Sequence, residues 1–352
     1  YVGLLGHAAA ALTLAGDPGN YVIYELDGPG GTIIGDGTLD ATTGILTVPV
    51  DFSGYDDGVY EVTANQYSKA GNGSPVLLST PTLTLDTVTP TGSFAVDGAA
   101  SNTALTRNPA VTLALSFADG GSGLYLYQVS ADGGSTWSAW QAYSASSSAT
   151  LPAPDGTYNV LVRVSDQSGN ILLASQTVIL DRTGPALAAA LSAPSNGTSY
   201  DVGTPIGLTW VTSDLNGVHS SSAAIEGQTI SSSGGTIDVD LLTAGSHTVT
   251  ITSTDNAGNV TTQSITFTIH ATPDGILKAV NDGAARGWIG ASFASTLVTQ
   301  IQQVIKAEPN HANMKAKLRQ FITYLQYPPA GGITAAYDAL LLNWSNDLLG
   351  RL

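Results

Sequence analysis

The feature that most constrains the fold is a stretch of sequence that occurs three times. Residues 155–170 read DGTYNVLVRVSDQSGN, residues 244–259 read AGSHTVTITSTDNAGN, and residues 57–72 carry the looser copy DGVYEVTANQYSKAGN. Within each copy, apolar and polar residues alternate between two turn-forming segments, which is the period of a β-strand with one buried face and one solvated face. A repeated turn, strand and turn predicts three related β-sandwich units.

Charge limits the classes of function. The 352 residues include 11 Lys and Arg against 27 Asp and Glu, so the formal net charge is −16. A chain with so few basic residues has no surface that could neutralise phosphates, and we expect it to bind neither nucleic acid nor anionic membranes. The apolar run at residues 1–16 is too short and too broken by glycine to span a bilayer, so we expect no membrane span and interpret the run as a strand pair.

Cysteine is absent from the sequence. Disulfides, thiolate metal sites and a cysteine nucleophile are therefore excluded. An acidic, Thr-rich β protein without cysteine is typical of bacterial surface or secreted proteins, although the lack of cysteine alone would also suit a cytosolic protein. We predict an extracellular or cell-surface location, and we expect the numbering to begin inside a longer precursor, because the chain starts at Tyr1.

Two matching linkers predict the domain boundaries. Residues 85–90 read LDTVTP and residues 180–185 read LDRTGP, and each linker follows the last predicted strand of a repeat. Proline cannot donate to a strand ladder and fixes its own φ, so each linker ends a strand and begins a short, stiff connection. We expect sandwiches at residues 1–86, 87–181 and 182–272, joined too closely to swing freely.

The sequence pattern becomes helical after the third repeat. Thr272, Pro273 and Asp274 predict a helix start, with a hydroxyl cap, proline in the first turn and an acid beside it. Apolar residues then recur on three helical faces, interrupted near Pro309 and Pro328. The three faces comprise Phe293, Leu297, Ile301, Val304 and Ile305; Met314, Leu318, Phe321 and Leu325; and Ile333, Tyr337, Leu340, Trp344 and Leu348. We predict a four-helix module at residues 273–352 that folds as an independent unit and covers the end of the third sandwich.

The repeats resemble a known group of modules. The two linkers, the D-x-x-G-N turns at Asp166 and Asp255, and the hairpin SADGGSTW at residues 130–137 resemble the bacterial Ig-like repeats of surface adhesins and large secreted enzymes. The resemblance covers roughly residues 1–272 and implies Greek-key sandwiches that serve as spacers, stalks or adhesive modules. The first unit departs from the turn pattern, because residues 69–72 read KAGN there and no Asp begins the turn.

The C-terminal pattern is similar to a second known module. The segments IGASFASTL, KLRQFITYL and GGITAAYDALL resemble FIMAH, a small helical domain at the C-termini of secreted bacterial multidomain proteins. That resemblance implies no enzymatic role. The expected fold class is therefore mainly β, with tandem Ig-like β-sandwiches followed by a small C-terminal four-helix module.

The sequence carries no recognisable catalytic constellation. Its five His residues lie in separate segments, and it contains no H-E-x-x-H motif, no G-x-S-x-G elbow and no phosphate-binding glycine loop. Asp56 and Asp57 precede Gly58, so we interpret them as a solvated turn rather than as paired catalytic acids. We expect a chain that is not an enzyme, with no catalytic residue and no required cofactor.

We favour a structural or adhesive segment of a bacterial surface protein, in which the tandem modules form a semi-rigid stalk. Its partner would be a surface polysaccharide or a protein. Two alternatives stay open. The chain could be the accessory C-terminal region of a larger secreted enzyme, or it could self-assemble as a homo-oligomer or a filament.

Calcium at the domain junctions is the remaining hypothesis. Two acids end the first and second units, two more lie in corner loops, and two begin the D-x-x-G-N turns. The candidate metal ligands are Asp86, Asp119, Asp166, Asp181, Asp214 and Asp255. Calcium prefers about six to eight hard oxygens, so a linker carboxylate joined by loop carboxylates and carbonyls of the next unit would form a site that stiffens the joint. In the competing interpretation, each turn Asp accepts its own turn's amides without a metal.

Overall fold

The protein is mainly β, with β-sandwiches followed by four C-terminal helices, as predicted. The computed structural model describes residues 1–3, 6, 10–70, 74–97, 103–192 and 199–352. The chain forms two compact units, Tyr1–Arg182 and Thr183–Leu352. The division at residues 86, 181 and 272 predicted from the linkers stays a prediction.

The first unit begins with a sandwich of two antiparallel sheets. Its strands are β1 Ala10–Ala15, β2 Tyr21–Gly28, β3 Gly31–Thr38, β4 Ile45–Val50, β5 Gly58–Tyr67, β6 Val76–Ser79 and β7 Thr82–Leu85. β1 pairs with β4, and the second sheet has the order β3-β2-β5-β6, with β7 also paired to β5. In the opening apolar run, Val2 forms a parallel bridge to Leu85 and β1 begins at Ala10, while Leu4, Leu5 and residues 7–9 lie outside the described residues.

The second sandwich has the strand order expected of an Ig-like fold. Its strands are β8 Thr91–Val96, β9 Thr103–Thr106, β10 Ala110–Ala118, β11 Leu124–Ser130, β12 Gln141–Ala142, β13 Ser146–Thr150, β14 Gly156–Asp166 and β15 Ile171–Leu180. One sheet has the order β13-β10-β8, and the facing sheet has the order β12-β11-β14-β15-β9. The edge strand β9 runs parallel to β15. Alternating residues of both sheets fill one hydrophobic core.

The third sandwich, in the second unit, repeats this order. Its strands are β16 Ala186–Leu191, β17 Ser199–Asp201, β18 Ile206–Ser213, β19 Val218–Ile225, β20 Gln228–Ile230, β21 Gly235–Ile237, β22 Gly245–Asp255 and β23 Val260–His270. The sheets have the orders β16-β18-β21 and β17-β23-β22-β19-β20, and β17 runs parallel to β23. A short 3-10 turn, Val239–Leu241, leads from β21 toward β22.

The edge strand β16 is capped by a side chain from the other sheet. The backbone N–H of Ala189 donates to Oε1 of Gln263 at 2.9 Å, and Nε2 of Gln263 donates to the carbonyl oxygen of Ala189 at 3.4 Å. One amide side chain therefore satisfies both backbone groups of an edge residue, which would otherwise be free to pair with another strand.

The corner that precedes β5, β14 or β22 is closed in each sandwich by a ring side chain that contacts the backbone four residues earlier. The Tyr60 hydroxyl donates to the carbonyl oxygen of Asp56 at 2.8 Å, and the Tyr158 hydroxyl donates to that of Pro154 at 2.5 Å. A side chain that bonds back to the backbone in this manner is the tyrosine corner of Ig-like sandwiches. In the third sandwich the equivalent residue is His247, which occupies the same register position opposite β23.

Four helices complete the second unit, namely α1 Pro273–Ala285, α2 Ala291–Ile305, α3 His311–Gln326 and α4 Ala335–Arg351. The predicted start of α1 is confirmed, because Thr272 is the N-cap and its Oγ1 accepts from the N–H of Gly275 at 3.1 Å. None of the helices in the described part of the chain has the length and apolar character needed to cross a membrane.

The predicted helical faces are largely buried, with three exceptions, because Ile305, Ile333 and Leu340 are only partly buried. Phe321 and Trp344 are fully buried, as expected. On α4, however, Leu341 takes the core position that the pattern gave to Leu340, which is only partly buried. The reason is that α4 packs against α1, α3 and the third sandwich together, so its buried arc is set by three neighbours rather than by one stripe.

The helices cover one end of the third sandwich through a continuous hydrophobic core. Nε1 of Trp344 donates to the carbonyl oxygen of Leu242 at 2.9 Å, and the N–H of Ala244 donates to Oδ1 of Asn343 at 2.7 Å. Polar groups of the sandwich end are therefore paired with α4 rather than with water. Independent folding of residues 273–352 stays a prediction.

Replacing Phe321 with Ala should lower the free energy of unfolding by about 3–5 kcal/mol, because the ring is fully buried and its loss leaves a cavity. Tyr327→Ala is the matched control, since Tyr327 is 80% exposed, and it should change stability by less than about 0.5 kcal/mol. Denaturant unfolding measures both values. Equal small losses for the two variants would contradict the assigned helical face.

Candidate metal centre

Three of the six predicted ligands meet in the first unit. Asp86 follows β7, Asp119 follows β10, and Asp166 ends β14. One carboxylate oxygen from each residue lies within 4.8 Å of the others. Asp86 and Asp166 are buried, and Asp119 is partly buried. We call these three residues the junction triad, because Asp86 belongs to the linker after the first sandwich and the other two belong to the second.

Asp86 is enclosed by the loop that follows β10. Its Oδ1 accepts from the N–H of Val88 at 3.1 Å, and its Oδ2 accepts from the N–H of Ser122 at 2.6 Å. A Cβ atom at Gly121 would lie only 2.4 Å from the Asp86 carboxyl carbon. Glycine is therefore needed for this loop to approach the linker so closely.

The D-x-x-G-N turn binds the linker as well as itself. Asp166 accepts from the N–H of Asn170 at 2.9 Å and from its Nδ2 at 2.7 Å. The same Nδ2 also donates to the carbonyl oxygens of Asp86, at 2.7 Å, and Val88, at 3.2 Å. Sequence reasoning assigned Asn170 only to the turn, and its second role requires a partner 84 residues away, which no local pattern encodes.

Asp119 has one oxygen that lacks a donor. Its Oδ2 accepts from the N–H groups of Gly121, at 3.2 Å, and Gly123, at 2.7 Å. Its Oδ1 is buried and has no hydrogen-bond partner among the described residues. A buried carboxylate oxygen without a partner is costly, so this atom is where a cation would contribute most.

The electrostatics of the triad are unfavourable without a cation. Burial raises the pKa of Asp166; the hydrogen bonds from Asn170 oppose this rise, and the nearby charges of Asp86 and Asp119 add to it. None of the ion pairs between described residues includes a member of the triad. Three carboxylates are thus held together with no positive side chain paired to them, and the apo cluster is under mutual repulsion.

The donor set fits a hard cation such as calcium. Every candidate ligand atom is an oxygen, and a carboxylate oxygen that already accepts one hydrogen bond keeps a second lone pair for the metal. Asp86, Asp119 and Asp166 would hold the ion. The competing interpretation is also correct in part, because Asp166 does accept its own turn's amides. Those hydrogen bonds fix the carboxylate and do not exclude a metal.

The other predicted ligands repeat the pattern along the sequence. Asp181 lies in the first unit and is buried. In the second unit, carboxylate oxygens of Asp214 and Asp255 lie within 4.8 Å of each other, the counterpart of the Asp119 and Asp166 pair. Asp255 accepts from the N–H of Asn259 at 2.8 Å and from its Nδ2 at 2.9 Å. The assignment of these three residues as ligands stays a prediction.

A second contact holds each linker to its own sandwich. The N–H of Thr87 donates to Oδ2 of Asp57 at 3.0 Å. In the second sandwich, the N–H of Arg182 donates to Oδ2 of Asp155 at 2.9 Å, and its Nε donates to Oδ1 at 2.6 Å. Asp57 is exposed in a turn, as predicted, but it also binds the linker. The available signal was the repeated D-G-x-Y at residues 57 and 155.

The chain thus consists of tandem Ig-like sandwiches, and the junction triad forms an acidic joint in the first unit. No protein-family model and no curated protein sequence matches the chain. Among solved structures, the chain is similar to a Ca2+-stabilised adhesin that helps an Antarctic bacterium bind ice, with a TM-score of 0.37 and 18% identity over 77% of this chain and 71% of that one. It is also similar to a 1.5-MDa bacterial ice-binding adhesin, with a TM-score of 0.36 and 16% identity over 77% of this chain and 93% of that one.

Asp119→Asn should act in opposite directions with and without calcium. In chelator, the variant should be as stable as the wild type or more stable, because it removes one of three repelling charges. Because its pKa is raised in the folded state, Asp166 stabilises the fold at pH values below its unfolded pKa, and this stabilisation is lost as the pH rises through the folded pKa. Asp119→Asn should make that loss of stability smaller. In calcium, the variant should lose the stabilisation that the wild type gains. Thermal unfolding across the acidic pH range measures both effects.

Asp27→Asn is the matched control for Asp119→Asn, because Asp27 is an exposed acid of the same unit whose side chain accepts from Thr32. It should respond to calcium as the wild type does. If Asp119→Asn lowered the stability equally in chelator and in calcium, that result would contradict the assignment of Asp119 as a calcium ligand.

Proposed function

We propose that the chain is a non-enzymatic structural or adhesive segment of a bacterial cell-surface or secreted protein, in which tandem Ig-like sandwiches form a stalk with calcium-stiffened joints. The junction triad is the observation that carries this proposal. Its acids come from the linker and from the following sandwich, so a cation bound there would join two modules that the short linker already holds close.

The linker contacts support the same function. On one side, Asp57 binds Thr87, and on the other, Asn170 binds the carbonyl oxygens of Asp86 and Val88. A flexible tether would leave these backbone groups to water. Calcium would add a third restraint to a linker that is already fixed at both ends. A stiff linker of this kind suits an extended stalk rather than a catalytic domain.

By sequence equivalence, we extend the calcium proposal to Asp181, Asp214 and Asp255. The linkers LDTVTP and LDRTGP make Asp181 equivalent to Asp86, and the two D-x-x-G-N turns make Asp255 equivalent to Asp166. Asp214 follows β18 as Asp119 follows β10. We also propose an extracellular or cell-surface location, with a surface polysaccharide or a protein as the partner. The low content of basic residues disfavours nucleic acid.

Calcium should raise the melting temperature of the wild type, because an ion that binds only the folded state stabilises it through linkage. The gain should be about 2.7 kcal/mol at about a hundredfold excess over Kd. Thermal unfolding in calcium and in excess chelator measures it, with magnesium as the control cation, which favours a smaller octahedral site. Superimposable curves would contradict the calcium proposal.

The stiffness itself can be measured separately. Because the chain contains no cysteine, Thr13→Cys and Ser148→Cys place one spin label on each sandwich of the first unit. Calcium should narrow the distribution of distances between the labels, and adding Asp119→Asn should abolish that narrowing. A distribution that is equally broad with calcium bound would contradict the stalk function while leaving calcium binding intact.

A further inference from the structure

A polar cavity lies within the second unit, between the third sandwich and α1. Its volume is about 340 Å³, at the lower end of the range of about 300–1,000 Å³ that small-ligand sites occupy. Residues around β21 and the following 3-10 turn form one wall, and one face of α1 forms the other. We call this space the α1 cavity. Its polar and charged lining residues are Thr236, Asp238, Asp240, Lys278, Asp282 and Arg286.

Asp240 is a lining residue whose carboxylate is not fully paired. The residue is only 2% exposed. Its Oδ1 is buried and has no hydrogen-bond partner among the described residues. Its Oδ2 lies 3.5 Å from Nη2 of Arg286, which is longer than the distance of about 2.7–2.9 Å typical of a charge-assisted hydrogen bond. Because a buried carboxylate oxygen without a donor is costly, the wall of the cavity presents an acceptor that a bound donor would satisfy.

The cations beside this carboxylate are bonded to other acids. Both Nη atoms of Arg286 donate to Asp238, and the contact from Nη2 to Oδ1 measures 3.1 Å. The guanidinium carbon also lies 4.6 Å from the centroid of the Trp288 ring. Nζ of Lys278 donates to Oδ2 of Asp282. Neither cation can turn fully to the remaining carboxylate without breaking contacts that it already makes.

The charges around the cavity leave one negative charge in excess, because three carboxylates face two cations. Burial, followed by the charges of Asp282 and Asp238, raises the pKa of Asp240 to about 6, whereas Arg286 and Lys278 oppose the rise. At neutral pH the carboxylate is therefore largely ionised in surroundings that disfavour its charge. A ligand that carries one positive charge would balance the cavity.

An ammonium group suits this position better than a metal ion does. Asp238 and Asp282 already have cationic partners, so a metal ion would have a single unpaired carboxylate, far short of the six to eight oxygens that calcium takes. An ammonium group is itself a donor with three N–H bonds. The rest of the polar wall, including Thr236, suits hydroxyl groups rather than an alkyl chain. The volume holds roughly one monosaccharide unit.

We propose that the α1 cavity binds an amino sugar of a surface polysaccharide, with the ammonium group donating to the carboxylate of Asp240 and the sugar hydroxyls bonding to the polar wall. The inference rests on the proposed function, since it takes a surface polysaccharide as the partner and names the group that is recognised. The net charge of −16 also favours the approach of a cationic polysaccharide.

The experiment titrates the full chain with D-glucosamine at about pH 7 in excess chelator, followed by amide chemical shifts. The amides of Thr236 and Asp240 report the cavity, and the amide of Gly58 in the first unit is the internal control. We expect saturable shifts at the cavity with a Kd of about 1–10 mM. D-glucose lacks the ammonium group and should bind at least about tenfold more weakly, because it cannot form the hydrogen bond between charged groups.

Two variants separate charge from space. Asp240→Asn keeps the shape of the side chain and removes the charge, and it should weaken glucosamine binding by about tenfold or more. Ala285→Leu keeps every charge and narrows the cavity that Ala285 lines, so it should also weaken binding. Asp274→Asn is the matched control, because Asp274 is an exposed acid of α1 outside the cavity lining. It should bind glucosamine as the wild type does.

The pH dependence of binding tests the contact with the carboxylate directly. Because the pKa of Asp240 is about 6, the ionised fraction and hence the affinity for glucosamine should fall by about tenfold from pH 7 to pH 5. Asp240→Asn should lack this fall. Tyr337 of α4, which interacts with the charge of Asp240, keeps its proton across this range, because burial raises its pKa.

Each contrary result has a definite meaning. Equal binding of glucose and glucosamine, or unchanged binding by Asp240→Asn, would overturn the role of the carboxylate. Tighter binding of N-acetyl-lysine amide than of glucosamine would assign the cavity to a lysine side chain of a protein and overturn the sugar. The absence of saturable shifts in the wild type would overturn the proposal and leave the calcium-stiffened stalk untouched, since the titration is made without calcium.

Discussion

Antiparallel pairing of the last two strands positions both ends of the second and third sandwiches. β14 and β15 pair along their whole length, as do β22 and β23. The turn that joins the two strands carries the D-x-x-G-N motif at one end of the ladder, and the corner and the outgoing linker lie at the other. Because the register is fixed by alternating buried residues, a slip by one residue would displace the acids, the corner and the linker together.

The parts of the fold that local chemistry decides could be predicted from the sequence. The alternation of apolar and polar residues predicted the strands, and proline predicted the linkers. The hydroxyl residue before Pro273 predicted the start of the first helix. The acids of the junction triad could be named because the repeats align them, although their ligand role is still a prediction. The long-range pairings could not be predicted. Asn170 reaches the linker and Asp57 reaches Thr87 through contacts that depend on the finished packing, and the core position of Leu341 depends on three neighbouring elements.

The third sandwich shows what changes when the next module is helical. At the equivalent position after the final strand of each sandwich, a backbone N–H donates to an aspartate carboxylate. In the first two, that aspartate comes from the sandwich itself, whereas the N–H of Ala271 donates to Asp347 of α4 at 2.9 Å. His270 stands at the position of Asp86 and Asp181, as the pairing of Gly245 with Ile269 shows. A buried protein interface thus takes the place of an acidic linker, which is why the acidic pattern stops at this junction.

The capped edge of β16 has a consequence for a chain built from related units. Neighbouring repeats in one polypeptide are present to each other at high effective concentration while they fold, and strands of similar sequence can exchange between them. By occupying both backbone groups of Ala189, Gln263 makes strand β16 a poor template for a strand of a neighbouring repeat. A single glutamine therefore protects the identity of the third sandwich during synthesis, independently of any contribution it makes to the stability of the finished sandwich.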